Sequence, residues 1–557
     1  MERSERNKLI ILWLALGVLP LLLRPLWEPD EGRYAEIPRA MLAFHDWLTP
    51  RLNQVLYFEK PPFQYWLSAL AMKGFGLNAF AARLPLALAS LVAMFAAWRL
   101  ARRLGADQPV WAAFMAGTTL LGYICGQILT LDALFSALFL LSLLAVLEAV
   151  AARFEGRSSM VWTLIAFGAN ALALLTKGLP APVLLGVIAL ASLPWTWRHA
   201  PLRSALLKTI FHPLGWLLFA AIAAPWFIWV DRVNPGHAQF FFIHEHFARF
   251  STTVHARQGS DNAVLDKLYF LGVLLVGLLP WLSASILGLR RGVAFLNLRG
   301  PAGDRAPLHR WMVVLLLLAF AVPLAFFSVS HSKLPPYILP VVVPLVALAC
   351  AFERKDEAWR TLAWSGRELL VLGAIFALAG PFLVKEPGAL PWLLGLGLAL
   401  LILGFWAQRP RHLTGPRWMA GLIGGLLLLT VAAQAVVGPS KAVENLVRVA
   451  PRNAQWISCG NYYQGIAFHA GQRVVVIAGT GELAFGRDHL APLERDRWFQ
   501  EDPLMLTPMA LRMRSEHSDR PVWALVDEGT WKHLPVEQRG AWDVAVRRPK
   551  LILARLR

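Results

Sequence analysis

Residues 27–62 of this chain are crowded with acids, bases and aromatic side chains, yet strongly apolar stretches lie on both sides of them. Two segments carry most of that chemistry: Glu28-Pro29-Asp30-Glu31-Gly32-Arg33-Tyr34, and Tyr57-Phe58-Glu59-Lys60-Pro61-Pro62. Carboxylates of this kind can orient a reacting group or take its proton, while ammonium and guanidinium groups neutralise anions. Polar groups so close to a bilayer are costly, so this segment is where function is to be sought. Further pieces of the same character are Thr130-Leu131-Asp132, Thr176-Lys177-Gly178, His244-Glu245-His246 with Arg249-Phe250, and Ser332-Lys333 with Tyr337.

The elements that must position these residues are membrane elements. With 557 residues, 57% of them hydrophobic and 16% charged, and with apolar runs recurring over the first four fifths, the chain is no single water-soluble globule. The net charge of +19 does not point to nucleic acid, because Lys and Arg cluster in short loops between the runs. Cys125, Cys350 and Cys459 are too scattered and too few for a disulfide framework or a metal cluster, and read as packing residues.

Apolar runs predict about thirteen spans, near 9–26, 79–98, 108–124, 133–152, 159–176, 179–197, 211–230, 264–289, 311–329, 336–353, 368–384, 391–408 and 418–438. Residues 63–76 are better suited to an interfacial helix. Every second connection is basic, from Arg3/Arg6/Lys8 through Arg99/Arg102/Arg103 to Arg409/Arg411/Arg417, whereas the short connections opposite carry single lysines such as Lys177, Lys333 and Lys385. The positive-inside rule then places the N-terminus in the cytoplasm and residues 439–557 on the outer side. The first span carries no cleavage site and reads as an anchor. The expected architecture is a polytopic α-helical membrane domain, 1–438, with a first outer loop at 27–78, followed by a small soluble α/β domain, 439–557, with strands near 473–478, 522–526 and 551–556. In that domain Gly479-Thr-Gly481-Glu-Leu-Ala484 fits a loose dinucleotide fingerprint, but the domain is too small for two mononucleotide-binding halves and a strand ending in a glycine turn accounts for it.

On this topology the polar pieces all fall on the outer face, which argues for a single site. Each also has a structural reading: Asp30 or Glu31 capping a helix over 32–45, Asp132 capping the fourth span, His246 as a satisfied histidine, Lys60 and Lys333 snorkelling, and the tyrosines forming an interfacial belt.

Glu28-Pro-Asp30-Glu31-Gly32-Arg33-Tyr34-Ala-Glu36 and Phe58-Glu59-Lys60-Pro-Pro62-Phe-Gln-Tyr-Trp, together with Leu131-Asp132-Ala133, Leu175-Thr-Lys177-Gly178, Glu245-His246, Arg249-Phe250 and Ser332-Lys333-Leu-Pro335 with Tyr337, resemble the lipid A aminoarabinose transferases. These belong to the wider protein O-mannosyltransferase-like, GT-C type group of polyprenyl-phosphate-sugar glycosyltransferases. The resemblance implies transfer of 4-amino-4-deoxy-L-arabinose from undecaprenyl phosphate to lipid A phosphates at the periplasmic face of a bacterial inner membrane, giving cationic lipid A and resistance to cationic peptides. It implies a monomer working on a lipid-linked donor, with no nucleotide cofactor and no nucleic-acid partner. Asp30 and Asp132 are the implied catalytic acids, with Lys60, Arg33 and Arg249 on the carrier phosphate. Glu31, Tyr34, Tyr57, Lys177, Lys333 and Tyr337 are expected to line the substrate cavity. Glu59 and His246 match positions associated with a zinc ion, although two ligands are too few for a closed tetrahedral site. The competing readings are another polyprenyl-phosphate-sugar transferase, acting on proteins or lipopolysaccharide, and a lipid-carrier flippase.

Overall fold

The computed structural model describes residues 2–248, 263–297, 306–353, 358–384, 387–408 and 416–557. Among these, eight helices are long and apolar enough to cross a membrane, nine if the bent pair Val264–Gly277 and Leu282–Asn297 is one span. That is fewer than the thirteen expected. The remaining expected spans fall on shorter or broken helices: 9–26 on three consecutive helical pieces from Arg3 to Leu22, 108–124 on Val110–Thr118 and Leu120–Cys125, and the other two on Pro180–Thr196 and Pro335–Ala351. The bend of 115° in the paired helices follows Pro280, which has no N–H to continue the helical ladder.

Compactness divides the chain into two units that interleave along the sequence, rather than at a boundary near 438. The membrane unit comprises 1–22, 59–64 and 84–430. Its central helix, Leu131–Phe154, is apolar all round and buried on nearly every side, as expected for a helix enclosed by other helices. It runs alongside Met160–Lys177, so the start of one and the end of the other share an end of the bundle. Small residues let other helices approach closely. A Cβ on Gly373 would lie 2.8 Å from the Gly397 carbonyl oxygen, and one on Gly366 would lie 2.7 Å from that of Gly404, joining Ala358–Leu383 to Leu390–Ala407. Outward side chains such as Phe382, 90% exposed, and Leu378, 73% exposed, are those that lipid rather than water would cover.

The second unit comprises 23–58, 65–83 and 431–557. Its sheet is built from β3 (Gln455–Cys459), β4 (Val475–Ile477), β5 (Phe499–Gln500), β6 (Val522–Asp527), β7 (Trp542–Arg548) and β8 (Leu551–Leu556), in the order β5-β4-β3-β6-β8-β7. The first four are parallel, and β8 and β7 close the sheet with antiparallel pairs. A small hairpin, β1 (Arg51–Leu52) and β2 (Val55–Leu56), belongs to the same unit. Its Asn53 donates to the Val474 carbonyl and accepts from the Val474 N–H, both at 2.9 Å, as a strand partner would. The glycine-rich stretch after β4 leads only into short helices, Gly481–Leu483 and Ala484–Asp488.

Candidate active site

The acidic segment folds as a helix, Asp30–Phe44, whose first turn holds both acids. Neither caps it. The N-cap residue is Pro29, and each carboxylate has a cationic partner instead. Glu31 is fully buried: Arg83 donates to both of its oxygens at 2.8 Å, Arg24 pairs with it as well, and the Trp27 N–H adds a bond of 2.9 Å. Burial works against its charge, but Arg83 and Arg24 overcome it and hold the carboxyl down at about 2. Glu31, expected in the substrate cavity, is held in internal ion pairs with Arg24 and Arg83. Asp30 differs. Its side chain is 50% exposed and is tied through Oδ1 at 2.7 Å to Nη2 of Arg33.

Arg33 is the hub of this cluster. Beyond Asp30, its Nη1 reaches Glu482 at 2.9 Å and the Tyr57 hydroxyl at 3.3 Å, and its guanidinium lies 5.3 Å from the Tyr34 ring centre. Burial disfavours its charge, but Tyr57, Glu482, Tyr34 and Asp30 together keep it well above the ordinary guanidinium value. Tyr34 in turn stacks on Tyr65 with ring centres 6.1 Å apart. Glu28 leads into this helix. Its buried carboxylate accepts the N–H groups of Gln464 and Gly465 at 2.9 and 2.7 Å, and burial pushes it up to about 8 against those donors.

In the membrane unit, Asp132 lies in the first turn of its helix and Lys177 in the last turn of the neighbouring one. The two form a largely buried ion pair. The Lys177 ammonium also lies 3.9 Å from the ring centre of Tyr337, in cation–π range. Lys333 is fully buried and donates to Asp266 at 2.7 Å and to the Ser330 carbonyl. Lys60 donates to the carbonyl of Glu59 at 2.6 Å, and Glu59 is half-buried. Arg249 and the side chain of His246 lie outside the described residues. Among the described residues no three His, Cys, Asp or Glu side chains converge on a point, and of the two residues suggested for zinc only the Glu59 side chain is described.

Sequence reasoning missed Arg24, Arg83 and Asp266 as partners, and set Glu482 aside within the glycine-rich stretch. The signal for the first two was present: each is an arginine inside a predicted span, and an ionisable residue there calls for a partner. Asp266, inside the predicted span 264–289, carried the same signal, whereas Glu482 gave none, since folding alone brings it to Arg33.

A helical membrane unit with buried acid–base pairs, joined to a unit with a mixed sheet, is the architecture of GT-C type membrane glycosyltransferases, and comparison with known proteins agrees. Residues 59–229 match the dolichyl-phosphate-mannose-protein mannosyltransferase family. The structure is similar to that of ArnT from Cupriavidus metallidurans bound to undecaprenyl phosphate, with a TM-score of 0.78 and 25% identity, over 100% of this chain and 98% of that one. A more distant likeness in fold, at a TM-score of 0.50 and 14% identity, is to the oligosaccharyltransferase AglB from Archaeoglobus fulgidus, over 94% of this chain and 69% of that one. In sequence, the chain is 33% identical over 465 residues to an undecaprenyl phosphate-α-4-amino-4-deoxy-L-arabinose arabinosyl transferase of Pseudomonas aeruginosa, covering 79% of this chain and 78% of the relative. A transferase of the same name from Edwardsiella ictaluri is 32% identical over 433 residues, 76% of this chain and 69% of the relative. The chain belongs to the family of undecaprenyl phosphate-α-4-amino-4-deoxy-L-arabinose arabinosyl transferases.

Proposed function

We propose that this chain moves 4-amino-4-deoxy-L-arabinose from undecaprenyl phosphate to a phosphate of lipid A at the periplasmic face of the inner membrane. The observation that carries the reading is the buried ammonium of Lys177, paired with Asp132 and lying against Tyr337, in a chain of this family. A lipid-linked donor brings its own leaving group. The bond from the sugar's anomeric carbon to the carrier phosphate breaks, an acceptor phosphate oxygen forms the new bond to that carbon, and the anomeric centre inverts. Negative charge grows on the departing phosphate and is met by fixed cations without a proton donor. We assign that task to Lys60, Arg33 and Arg249, as the family motif does. Asp132 and Lys177 hold the polar part of the sugar, with Lys333 and Tyr337 lining its pocket. Asp30, whose side chain is half exposed, orients the acceptor or removes a residual proton.

The alternation of basic and non-basic connections supports a cytoplasmic N-terminus and a periplasmic C-terminal domain. The test is mass spectrometry of lipid A from cells with and without the gene. Addition of aminoarabinose only when the chain is present is expected; unchanged lipid A refutes the reading. The match of residues 59–229 to a protein mannosyltransferase family favours one alternative, a protein acceptor, which the same cells would reveal as altered glycoproteins.

A further inference from the structure

The sheet of the second unit carries a charged cavity that the transfer reaction does not use. It has a volume of about 100 Å³ and lies beside β3 and β4, where the helices Pro492–Trp498 and Leu506–Glu516 pack. About 10–15 Å³ of such space holds one water, so a tetrahedral oxyanion fits. Its walls include four guanidinium groups, those of Arg473, Arg497, Arg512 and Arg520, together with Trp498 and Glu516.

The cations outnumber the acids that answer them. Glu516 accepts from Arg497 at 2.5 Å and from Arg512 at 3.1 Å, and Glu494 accepts from Nη1 of Arg473 at 2.6 Å. Arg520 is held by the Asn453 carbonyl at 2.9 Å and by Gln472 at 3.2 Å. The decisive residue is Arg473. Its side chain is only 8% exposed, and its Nε and Nη2 have no hydrogen-bond partner among the described residues. Those two nitrogens form one edge of the guanidinium, the edge that takes two oxygens of a single tetrahedral anion. Its plane is fixed by the Trp498 ring, 4.6 Å away. A purely structural arginine would use that edge on the protein itself, because buried donors are rarely left idle.

We propose that this cavity binds a phosphate group among Arg473, Arg497, Arg512 and Arg520, and that on binding the Arg473 side chain turns its Nε and Nη2 edge, closed off from the cavity in the free chain, onto two of the phosphate oxygens. The phosphate belongs either to a soluble phosphorylated compound or to a lipid headgroup, and the experiment separates the two. The full-length chain is followed by hydrogen–deuterium exchange over residues 492–516, at constant ionic strength. One arm titrates inorganic phosphate in neutral detergent; the other compares nanodiscs of phosphatidylcholine with nanodiscs that also contain phosphatidic acid. Protection in the first arm identifies a soluble phosphate, and protection only with phosphatidic acid identifies a headgroup. In either case Arg473→Lys and Arg512→Gln should raise the half-saturating concentration at least about tenfold, the loss of roughly one charge-assisted hydrogen bond. Lys532→Gln, on the surface away from the cavity, should change nothing. No protection in either arm, protection that survives both arginine substitutions, or an equal loss in Lys532→Gln would overturn the proposal. If Arg473→Lys does not fold, Arg512→Gln decides alone, since that side chain is half exposed.

Discussion

Glu31→Gln removes the negative charge from the ion-pair core of the second unit while keeping its shape. The amide leaves Arg24 and Arg83 buried and facing each other with no counter-charge. Two routes give the size of the effect. Displacement of the carboxyl from 4.5 to about 2 corresponds to roughly 3 kcal/mol at about 1.36 kcal/mol per pKa unit. Removing one member of a buried ion pair costs about 3–5 kcal/mol. At about 2–4 °C per kcal/mol for a domain of about 150–250 residues, the melting temperature should fall by roughly 6–20 °C. The sign of the pH dependence follows from the depressed value. The folded carboxyl is ionised where the unfolded one is not, so its stabilisation is full above about pH 4.5 and is lost as pH falls towards 2. The assay is thermal melting of the purified full-length chain, followed by size-exclusion chromatography at pH 7 and again near pH 4. The deficit should be full at neutral pH and smaller in acid. Adding Arg83→Gln should recover part of the loss, because the excess charge goes while donors remain for the carbonyls of Arg24 and Pro25. A drop of less than about 2 °C at pH 7 would show that these charges are not acting as a buried network.

Asp30→Asn should lower sugar transfer at least about a hundredfold with melting unchanged, since this carboxylate is half exposed; normal turnover in a reconstituted assay would remove it from the mechanism. Lys177→Met strands a buried carboxylate, so turnover should collapse and stability should fall by about 3–5 kcal/mol, and adding Asp132→Asn should restore stability but not activity; recovery of both would make the pair purely structural. Glu28 holds its proton to about pH 8 when folded, so the folded state binds more protons than the unfolded one between about pH 4.5 and 8, and stability should fall as pH rises through that window. Melting curves from pH 5 to 8 should show this slope in the parent chain and a flatter one in Glu28→Gln. Gly32→Ala would place a methyl group 2.5 Å from a Glu28 carboxylate oxygen and 2.7 Å from the Gly465 nitrogen, so a loss of about 1–3 kcal/mol is expected; an unchanged melting temperature would mean that the helix shifts at no cost.

The broad architecture was legible because lipid imposes a simple pattern: long apolar runs, basic connections on alternate sides, and a change of composition after the last run. Where the pattern misled, the cause is local. The run 264–289 reads as one span, but Pro280 folds it through 115°, and the run 108–124 breaks at Thr119, whose hydroxyl accepts the N–H of Gly122 and starts a new helix. Strands were legible where short apolar runs stand out from polar surroundings, as in Val522–Asp527 and Leu551–Leu556. Gln455–Cys459 went unseen because its five residues are buried on both faces and show no alternation. In the candidate site, residue types pointed to the right segments but could not sort their tasks. Asp30 and Glu31 are neighbours in sequence, yet the helix turns Glu31 into a buried ionic core and leaves Asp30 at the surface. That difference depends on Arg83, about fifty residues away in sequence, and periodicity alone could not supply it.

The bond between Asn53 and Val474 joins residues 421 positions apart, at opposite ends of the polypeptide. At about 5–20 residues added per second, the ribosome needs roughly 20–80 s to deliver the second after the first has emerged. Throughout that interval the hairpin that bears Asn53 waits without its partner strand, while the intervening helices are being inserted. Maturation of the acidic segment thus waits on the synthesis of Val474. A premature stop between codons 441 and 474 leaves every candidate membrane helix translated and the early hairpin unmatched, a product suited to capture by quality-control proteases.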